Sequence, residues 1–361
     1  MEIHELKNRI NDPRVIENLL KAIRKLSDRI GPVRIMHVCG THEHEIVRFG
    51  LRSLLPQEVE IISGPGCPVC VTPKRDIDRA IFLADRCIIT TYGDMYRVPS
   101  NSGSFEAATS EGNDIRVVYS ITDALDIAAN EDKEVIHFGI GFETTSPASA
   151  AVLIDQPRNF SILSVHRLIP PALSFLLSPG EAKVDALLNP GHVSTIIGTE
   201  VYEDISKKFR IPQVVTGFEP ADILLGIYMV MKQINEGRCE VENGYKRAIK
   251  REGNRKAQKI LKEVFYIKDA EWRGFPEILD SGYGIRDKYE EWDALKKFED
   301  ELGDFVYEDQ GEKGCRCGEV LRGLIKPEEC GLFREVCSPS NPVGACMVSS
   351  EGACNIAFKF G

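Results

Sequence analysis

The sequence predicts an α/β protein in which two similar α/β domains with parallel central sheets precede a small cysteine-rich domain. Short runs of β-branched residues alternate with helical stretches, which is typical of βαβ units. The alternation occurs twice, on either side of the polar stretch 101–113. Six of the eleven cysteines then fall in the last part of the chain, between Cys315 and Cys354.

The first thirty residues are predicted to form a helix. Asn11-Asp12-Pro13 is a helix start, apolar residues recur after it at helical spacing, and Gly31-Pro32 ends it. Strands follow at 33–38, 59–63 and 87–91, with helices at 45–55 and 75–84. We expect these three strands to form one βαβ-type unit with a parallel sheet.

A second set of strands is predicted at 116–119, 135–138, 161–165, 192–197 and 213–216, with a helix at 221–235. The charged stretch 236–309 holds both tryptophans, and its pattern predicts no elements. The chain is therefore divided into an N-terminal helical segment packing on the rest (1–31), α/β domain I (32–110), α/β domain II (111–236) and a C-terminal cysteine-rich domain (237–361).

The composition argues against nucleic acid and membrane as partners. The net charge is −10, and no basic patch with interleaved aromatic residues occurs. No apolar run approaches the ~18 residues that span a bilayer, and the first twenty residues are too polar for a secretory signal. We expect a cytoplasmic protein, where clustered cysteines are metal ligands or redox groups rather than structural disulfides.

Four polar segments follow directly after predicted strands, at the edge of the sheet where α/β proteins bind their ligands. These segments are 39–44, 64–70, 141–145 and 166–167. If the two sheets face each other, all four line one cleft.

The first segment places a thiol at a strand-to-helix turn. With Thr41 as the N-cap, Cys39 precedes a helix N-terminus, whose dipole and free N–H groups favour the thiolate. His42 follows at Cys-x-x-His spacing, a donor pair that suits iron or zinc. His42 and His44 are two residues apart and diverge on a helix. The structural alternative is one buried cysteine beside two surface histidines.

The second segment carries Cys67 and Cys70 on a loop rich in Gly and Pro. Two thiols at this spacing can close a disulfide reversibly. Half of a zinc site is the competing functional interpretation, and a rigid turn with incidental cysteines is the structural one.

The remaining segments give weaker signals. The glycines before Phe142 are a near miss to the dinucleotide fingerprint, so no NAD site is predicted. Glu143 is a candidate polar group of the cleft. His166 and Arg167 are expected to be ordinary loop residues, and His137 a hydrogen-bonded core histidine.

The tail has the spacing Cys317-x12-Cys330-x6-Cys337-x16-Cys354, with Cys315 and Cys346 left over. This spacing matches neither paired-knuckle zinc ribbons nor the compact ferredoxin pattern. Widely spaced cysteines on loops can still enclose a [4Fe–4S] cube, which needs four thiolates. A structural zinc site is the alternative.

Together these motifs resemble the HypD family of hydrogenase maturation factors, over most of the chain. The resemblance rests on Cys-Gly-Thr-His-Glu-His at 39–44, Gly-Pro-Gly-Cys-Pro-Val-Cys at 64–70, Phe-Glu-Thr-Thr at 142–145, and the tail sequences at 317–323 and 346–354.

The resemblance implies an assembly scaffold, or metallochaperone, rather than a conventional turnover enzyme. On it the Fe(CN)2CO group of [NiFe] hydrogenases is built, with the iron anchored at Cys39 in a complex with HypC. HypE, with HypF upstream of it, delivers the cyanide ligands, and the hydrogenase large subunit is served indirectly. The source of the CO ligand is left open.

The resemblance also implies roles for individual residues. Cys67 and Cys70 would be the redox-active pair. His42, His44 and Glu143 fall in family motifs. The ligands of a [4Fe–4S] cluster would be Cys317, Cys330, Cys337 and Cys354, with Cys346 or Cys315 as rivals for one position.

Two other functions compete with the scaffold. A [4Fe–4S]-dependent thiol–disulfide reductase would use the cluster to reduce Cys67–Cys70 for a protein substrate, and it would not need Cys39. A zinc-bound interaction module would contain neither iron nor labile sulfide.

Overall fold

The computed structural model describes residues 12–179 and 181–361. The predicted N-terminal helix is confirmed as α1 (Pro13–Ile30). Asp12 caps it, because its side chain accepts a backbone hydrogen bond from the first turn at 2.9 Å, and Gly31 ends it with a φ of +74°. Residues 1–11 of the predicted N-terminal segment lie outside the described residues.

The strands, in chain order, are β1 (Val33–His37), β2 (Val59–Ser63), β3 (Ile88–Tyr92), β4 (Ile115–Val118), β5 (Val135–Gly141), β6 (Phe160–His166), β7 (Ala186–Pro190), β8 (Gln213–Thr216), β9 (Val241–Asn243), β10 (Phe265–Ala270) and β11 (Ile278–Ile285).

After α1 the α-helices are α2 (Gly40–Arg48), α3 (Leu51–Leu54), α4 (Lys74–Leu83), α5 (Phe105–Ser110), α6 (Ile121–Asn130), α7 (Ser146–Ile154), α8 (Ile169–Leu176), α9 (Gly191–Ile197), α10 (Glu203–Phe209), α11 (Pro220–Asn235), α12 (Arg255–Val264), α13 (Ala294–Lys297), α14 (Glu299–Leu302), α15 (Cys317–Leu321), α16 (Ala345–Val348) and α17 (Ala353–Phe360). Short 3-10 turns lie at Gly93–Met95, Glu200–Tyr202, Asp287–Trp292 and Pro327–Glu329.

The first sheet has five parallel strands in the order β2–β1–β7–β8–β9. Strand β1 lies between β2 and β7, and its Ile35 pairs with Ile61 on one side and with Ala186 on the other. Helices α1 and α11 cover one face, because Ile23 and Ile227 belong to the same buried core as these strands.

The second sheet has four parallel strands in the order β4–β3–β5–β6. All seven residues of β5 are buried, as expected for a central parallel strand covered on both faces. The two sheets confirm the predicted α/β fold with two similar parallel units.

The strands of the second sheet are inserted in the chain between two groups of strands of the first. The chain builds β1 and β2 in the first sheet, crosses to the second for β3 to β6, and returns to the first for β7 to β9. The strand predicted at 87–91 therefore pairs with β4 and β5, so its expected place beside the first two strands is wrong. The predicted ranges 32–110 and 111–236 each contribute strands to both sheets.

Residues 192–197, predicted as a strand, form the helix α9, and the strand of this unit is β7 directly before it. Their β-branched residues favour a strand by propensity. However, Pro190 and Gly191 turn the chain, and the Ser194 hydroxyl donates to the Pro190 carbonyl at 2.8 Å within the first helical turn. Tertiary packing thus overrides local propensity here.

Each sheet has a switch point, where the chain leaves neighbouring strands in opposite directions. In the first sheet this point lies between β1 and β7, and in the second between β3 and β5. Open α/β sheets bind ligands beyond the carboxyl ends of the strands at such points. Cys39 follows β1 and Glu143 follows β5, so each stands at a switch point.

The C-terminal region begins with the antiparallel hairpin β10–β11 and continues into the cysteine-rich tail. The last helix, α17, packs on α2, and the ring of Phe360 meets the ring of His44 edge-on at 5.6 Å between centroids. The tail therefore lies against the helix that starts at Cys39. Across residues 12–179 and 181–361, no helix combines the length and the apolarity that crossing a membrane requires.

Candidate functional site

Cys39 is itself the N-cap of α2, and the predicted N-cap Thr41 lies inside the helix. The Thr41 hydroxyl instead donates to the Glu351 carboxylate at 2.9 Å. Cys39 carries a free thiol and is 6% exposed. The sequence thus predicted the turn correctly but placed the start of the helix too late.

Burial raises the pKa of the Cys39 thiol to about 12. The backbone N–H groups of His42 and Thr41 act in the opposite direction, as predicted for a helix N-terminus, but they are outweighed. The negative charge of Glu351 adds to the effect of burial. The helix N-terminus thus acts on Cys39 in the predicted direction, but burial outweighs it and favours the protonated thiol over the expected thiolate.

The loop that carries Cys67 and Cys70 packs directly against Cys39. A Cβ atom on Gly66 would lie 2.1 Å from the Cys39 nitrogen and 2.3 Å from its Cα, so this approach requires glycine. The Gly40 amide donates to the Gly66 carbonyl at 3.1 Å. Cys67 and Cys70 are both buried and form a disulfide. The loop that carries this redox-capable sulfur pair thus packs against the backbone of Cys39.

His42 and His44 diverge, as predicted. His42 is fully buried, and its Nε2 lies 2.9 Å from the Gly217 carbonyl, while Nδ1 has no partner. Burial, and after it the charge of His37, lower the pKa of His42 to about 3, so its ring is neutral. His44 is partly exposed and pairs with Glu45 at 3.0 Å. Of the two, only His42 lies in the interior beside Cys39.

Glu143 is a buried carboxyl at the switch point of the second sheet. One oxygen accepts from the Ile169 amide at 3.1 Å, and the other has no hydrogen-bond partner. Burial raises the pKa of Glu143 to about 8, so it is largely protonated at neutral pH. The side chains of Glu143 and Cys39 are both close enough to the buried Tyr202 hydroxyl that either one, when ionised, would raise its pKa.

Replacing Glu143 with Gln removes this titration and changes how stability depends on pH. The folded-state pKa of about 8 is above the ordinary 4.5, so the folded protein holds the proton that the unfolded chain releases. The stability that protonated Glu143 provides is therefore lost as pH rises from about 4.5 to 8. When the pH is raised from 5 to 8, the free energy of unfolding of Glu143→Gln should rise relative to that of wild type by on the order of 3 kcal/mol. Urea unfolding measures this difference. A difference between the two proteins that is constant with pH would contradict the assignment.

His137 is a hydrogen-bonded core residue, as predicted, whereas His166 and Arg167 are buried and are not the ordinary loop residues that were expected. The His166 ring lies 3.2 Å from the hydroxyls of both Ser149 and Ser164. Arg167 donates to the Glu271 carbonyl at 2.9 Å and pairs with Asp76 at 3.3 Å. His137 lies 3.1 Å from the Thr90 hydroxyl inside the second sheet. These side chains hold the interior together, although the buried Nε2 of His137 has no hydrogen-bond partner.

Sequence reasoning missed the contribution of the tail to both switch points. Glu351 reaches Thr41 at the first one, and a Cβ atom on Gly40 would lie 2.5 Å from the Glu351 Cβ. The hydroxyls of Ser349 and Ser350 donate to Asp94, which follows β3, both at 3.0 Å. No local pattern marks these residues, because their partners lie more than 250 positions away in sequence.

Sequence reasoning also missed His192, which it placed inside a strand. His192 follows β7 across the switch point from Cys39, and its ring stacks on Phe218 at 3.8 Å between centroids. The Phe218 ring also lies 5.2 Å from that of His42. The available signal was Pro190-Gly191, a strand-to-helix turn that ends in glycine, like the turn at Cys39-Gly40.

The six tail cysteines line one small cavity, which confirms that the fold brings them together: Cys315, Cys317, Cys330, Cys337, Cys346 and Cys354. The thiols of Cys315, Cys317, Cys346 and Cys354 are close enough to influence one another's pKa values. The cavity thus holds the four predicted ligands together with both left-over cysteines.

The donor set of this cavity fits an iron–sulfur cube. A four-iron cube has one thiolate at each of four separate corners, so its ligands must surround a space rather than meet at a point. Six thiols around one cavity meet that requirement, with two to spare.

Parallel strands that end in a buried free thiol, a disulfide and a buried carboxyl, beside a cavity lined by thiols, define a cysteine-rich α/β protein of the redox or metal-handling class. The family described as "HypD: Hydrogenase formation hypA family" matches residues 14–361. The chain belongs to this HypD family of hydrogenase maturation proteins.

Curated relatives support the same membership along the whole chain. A putative hydrogenase expression/formation protein of Methanocaldococcus jannaschii is 47% identical, with 97% of this chain and 98% of the relative covered. The hydrogenase maturation factor HypD2 of Bradyrhizobium diazoefficiens is 44% identical, with 97% and 95% covered. The hydrogenase maturation factor HypD of Rhizobium leguminosarum bv. viciae is 45% identical, with 97% and 94% covered.

Proposed function

We propose that this protein is the scaffold on which the Fe(CN)2CO group of [NiFe] hydrogenases is assembled, with the iron anchored at Cys39. The observation that carries the proposal is the position of Cys39, whose free thiol stands at a switch point and whose backbone packs against the loop of the Cys67–Cys70 disulfide. Membership of the HypD family supports it.

The surroundings of Cys39 suit an iron that carries cyanide and CO. A thiolate is a soft, electron-rich ligand. Because burial keeps the metal-free thiol protonated, binding of iron must displace this proton, so uptake is favoured at higher pH. His42 is neutral, and its unpartnered Nδ1 leaves a free lone pair in the same interior. Protonated Glu143 is a proton donor at the neighbouring switch point.

The partners in this proposal are HypC and HypE, acting in the cytoplasm. Cys39 supplies one thiolate and is nearly enclosed, so a HypC cysteine that shares the iron must enter through a narrow opening. HypE, downstream of HypF, delivers the cyanide ligands to the same iron. The hydrogenase large subunit receives the finished group indirectly.

The tail is proposed to hold a resident [4Fe–4S] cluster on Cys317, Cys330, Cys337 and Cys354, which supplies electrons one at a time. The thiol-lined cavity supports this assignment. Cys67 and Cys70 form the redox pair between the tail and the iron anchor. The alternative function, a thiol–disulfide reductase, needs no anchor at Cys39, and family membership does not favour it.

Iron and sulfide analysis of anaerobically purified protein, combined with Mössbauer spectroscopy, tests the proposal. Protein isolated with HypC should contain a four-iron cluster with labile sulfide and, in addition, one low-spin mononuclear iron. Zinc without labile sulfide would overturn the cluster and favour a zinc-bound module. A cluster without any mononuclear iron would instead favour the alternative function, the thiol–disulfide reductase.

Single alanine variants test the cluster ligands. Cys330→Ala and Cys337→Ala should each lose the brown absorbance, because a cube that lacks one thiolate is not retained. Cys239→Ala, a partly exposed cysteine outside the cavity, is the control and should keep it. Cys317→Ala should lose the absorbance and Cys315→Ala should keep it. The reverse result would assign this cluster ligand to Cys315 instead of Cys317 and leave the proposed function unchanged.

A further inference from the structure

The segment 271–274, for which the sequence predicted no structure, contacts residues in or next to three of the four polar segments that follow strands. These three are 64–70, 141–145 and 166–167. The Glu271 carbonyl accepts from Arg167, and the Trp272 ring stacks on Phe142 at 5.9 Å between centroids. The Arg273 amide donates to the Val71 carbonyl at 2.9 Å, one residue after Cys70. This segment therefore joins the disulfide loop to the rest of the site.

The charged side chain of Arg273 in this segment also binds the loop that leads into the cysteine-rich tail. The Arg273 guanidinium is 3% exposed and makes two hydrogen bonds to the Glu312 carboxylate, at 3.1 and 3.0 Å. Lys74, 8% exposed, pairs with the same carboxylate at 3.3 Å. Glu312 thus neutralises two buried cations, one on the segment and one at the start of the helix after the disulfide loop.

The next residue makes a backbone contact with the tail. A Cβ atom on Gly274 would lie 2.4 Å from the Gly318 Cα, and one on Gly318 would lie 2.7 Å from the Gly274 Cα. Gly318 directly follows Cys317, and the Arg273 charge acts on the Cys317 thiol. Both glycines are required for the two backbones to approach so closely.

We propose that Arg273 and Gly274, with their partners Glu312 and Gly318, are positioning residues that couple the Cys67–Cys70 pair to the cysteine-rich tail. The coupling itself is a property of the chain. Only its use, in redox support of the iron at Cys39, rests on the proposed function. Two neighbouring sulfurs bond more readily when their loop is held in place. The held loop therefore favours the disulfide over the dithiol.

The coupling is reciprocal. Reduction of the disulfide takes two electrons and two protons, breaks the S–S bond and gives two thiols. Because the tether favours the disulfide, forming the dithiol must weaken the tether by the same factor. The redox state of Cys67 and Cys70 is thereby communicated to the loop that carries Cys315 and Cys317.

The test is the thiol–disulfide equilibrium of this pair in the anaerobically purified full chain. The protein is equilibrated with reduced and oxidised glutathione, in which two glutathione thiols supply the electrons and protons and become one glutathione disulfide. After alkylation, the tryptic peptide 53–74, which contains only these two cysteines, is quantified by mass spectrometry.

Glu312→Gln should shift the equilibrium about tenfold towards the dithiol, which is about 30 mV for a two-electron couple. Gly318→Ala should shift it in the same direction. The matched controls are Glu203→Gln, which breaks an exposed ion pair with Arg251, and Gly331→Ala, whose added Cβ meets no atom within 4 Å. Both controls should retain the wild-type equilibrium.

A wild-type equilibrium in Glu312→Gln and Gly318→Ala proteins with native circular dichroism would overturn the coupling. If Gly318→Ala does not fold, the milder Glu312→Gln decides alone. The failure of the proposed function would look different, because wild-type protein would then lack mononuclear iron whatever the glutathione equilibrium shows.

Discussion

We expect the Cys39→Ala protein to bind no mononuclear iron while retaining the absorbance of the proposed iron–sulfur cluster. Cys39 contributes the free thiol at the switch point of the first sheet, and the sulfurs of Cys67 and Cys70, on the loop that packs against it, are bonded to each other. Without Cys39 no soft ligand remains there for the iron. The cluster cysteines occupy a separate cavity, so their absorbance should not change.

The measurement is Mössbauer spectroscopy of wild-type and variant proteins, each isolated with HypC. Cys87→Ala is the matched control, because Cys87 is equally buried but lies before β3, away from the site. It should keep both the low-spin iron and the cluster. Survival of the low-spin iron in Cys39→Ala would refute the anchor. Turnover of a disulfide substrate by Cys39→Ala would favour the reductase.

The second large effect is expected from Gly66→Ala. The added methyl group would meet the backbone of Cys39 at 2.1 to 2.3 Å, and backbone atoms cannot rotate away as a flexible side chain can. Either the disulfide loop or the start of α2 must move. We expect a loss of about 3 kcal/mol in the free energy of unfolding, together with loss of the mononuclear iron.

Urea unfolding and iron analysis check this prediction. Gly331→Ala is again a suitable control, because the same substitution there adds a methyl group in open space. If Gly66→Ala unfolds at the same urea concentration as this control and still binds iron, the close contact between the two loops is not important for the site.

Much of the fold could be predicted because parallel strands have a strong local signal. The bounds of β2 and β8 were predicted to the residue, and the start and end of α1 followed from its capping residues. The prediction at 192–197 was wrong because propensity alone cannot identify a β-branched segment that packs as a helix. The pairing of β3 could not be predicted, because the local sequence does not specify a strand's neighbour.

The features of the site likewise fall into those that could be predicted from the sequence and those that could not. Cys39, Cys67, Cys70 and Glu143 could be recognised because unusual residues follow strands, where ligands bind. The protonation of Cys39 could not be predicted, since burial outweighs the helix N-terminus and burial depends on distant residues. Glu351 was missed for a related reason, because only the folded tail brings it to Thr41.

The order in which the strands are synthesised has a consequence for when the iron anchor can form. The first sheet begins with β1 and β2 but receives its central neighbour β7 only after all four strands of the second sheet. The surroundings of Cys39 also include Glu351, which lies 310 positions after Thr41, its hydrogen-bond partner. Such distant pairings form slowly, and a nascent chain leaves them open until both partners have been synthesised. Cys39 is therefore enclosed only after the segment around Glu351 has been made, so shorter nascent chains leave the proposed iron anchor open.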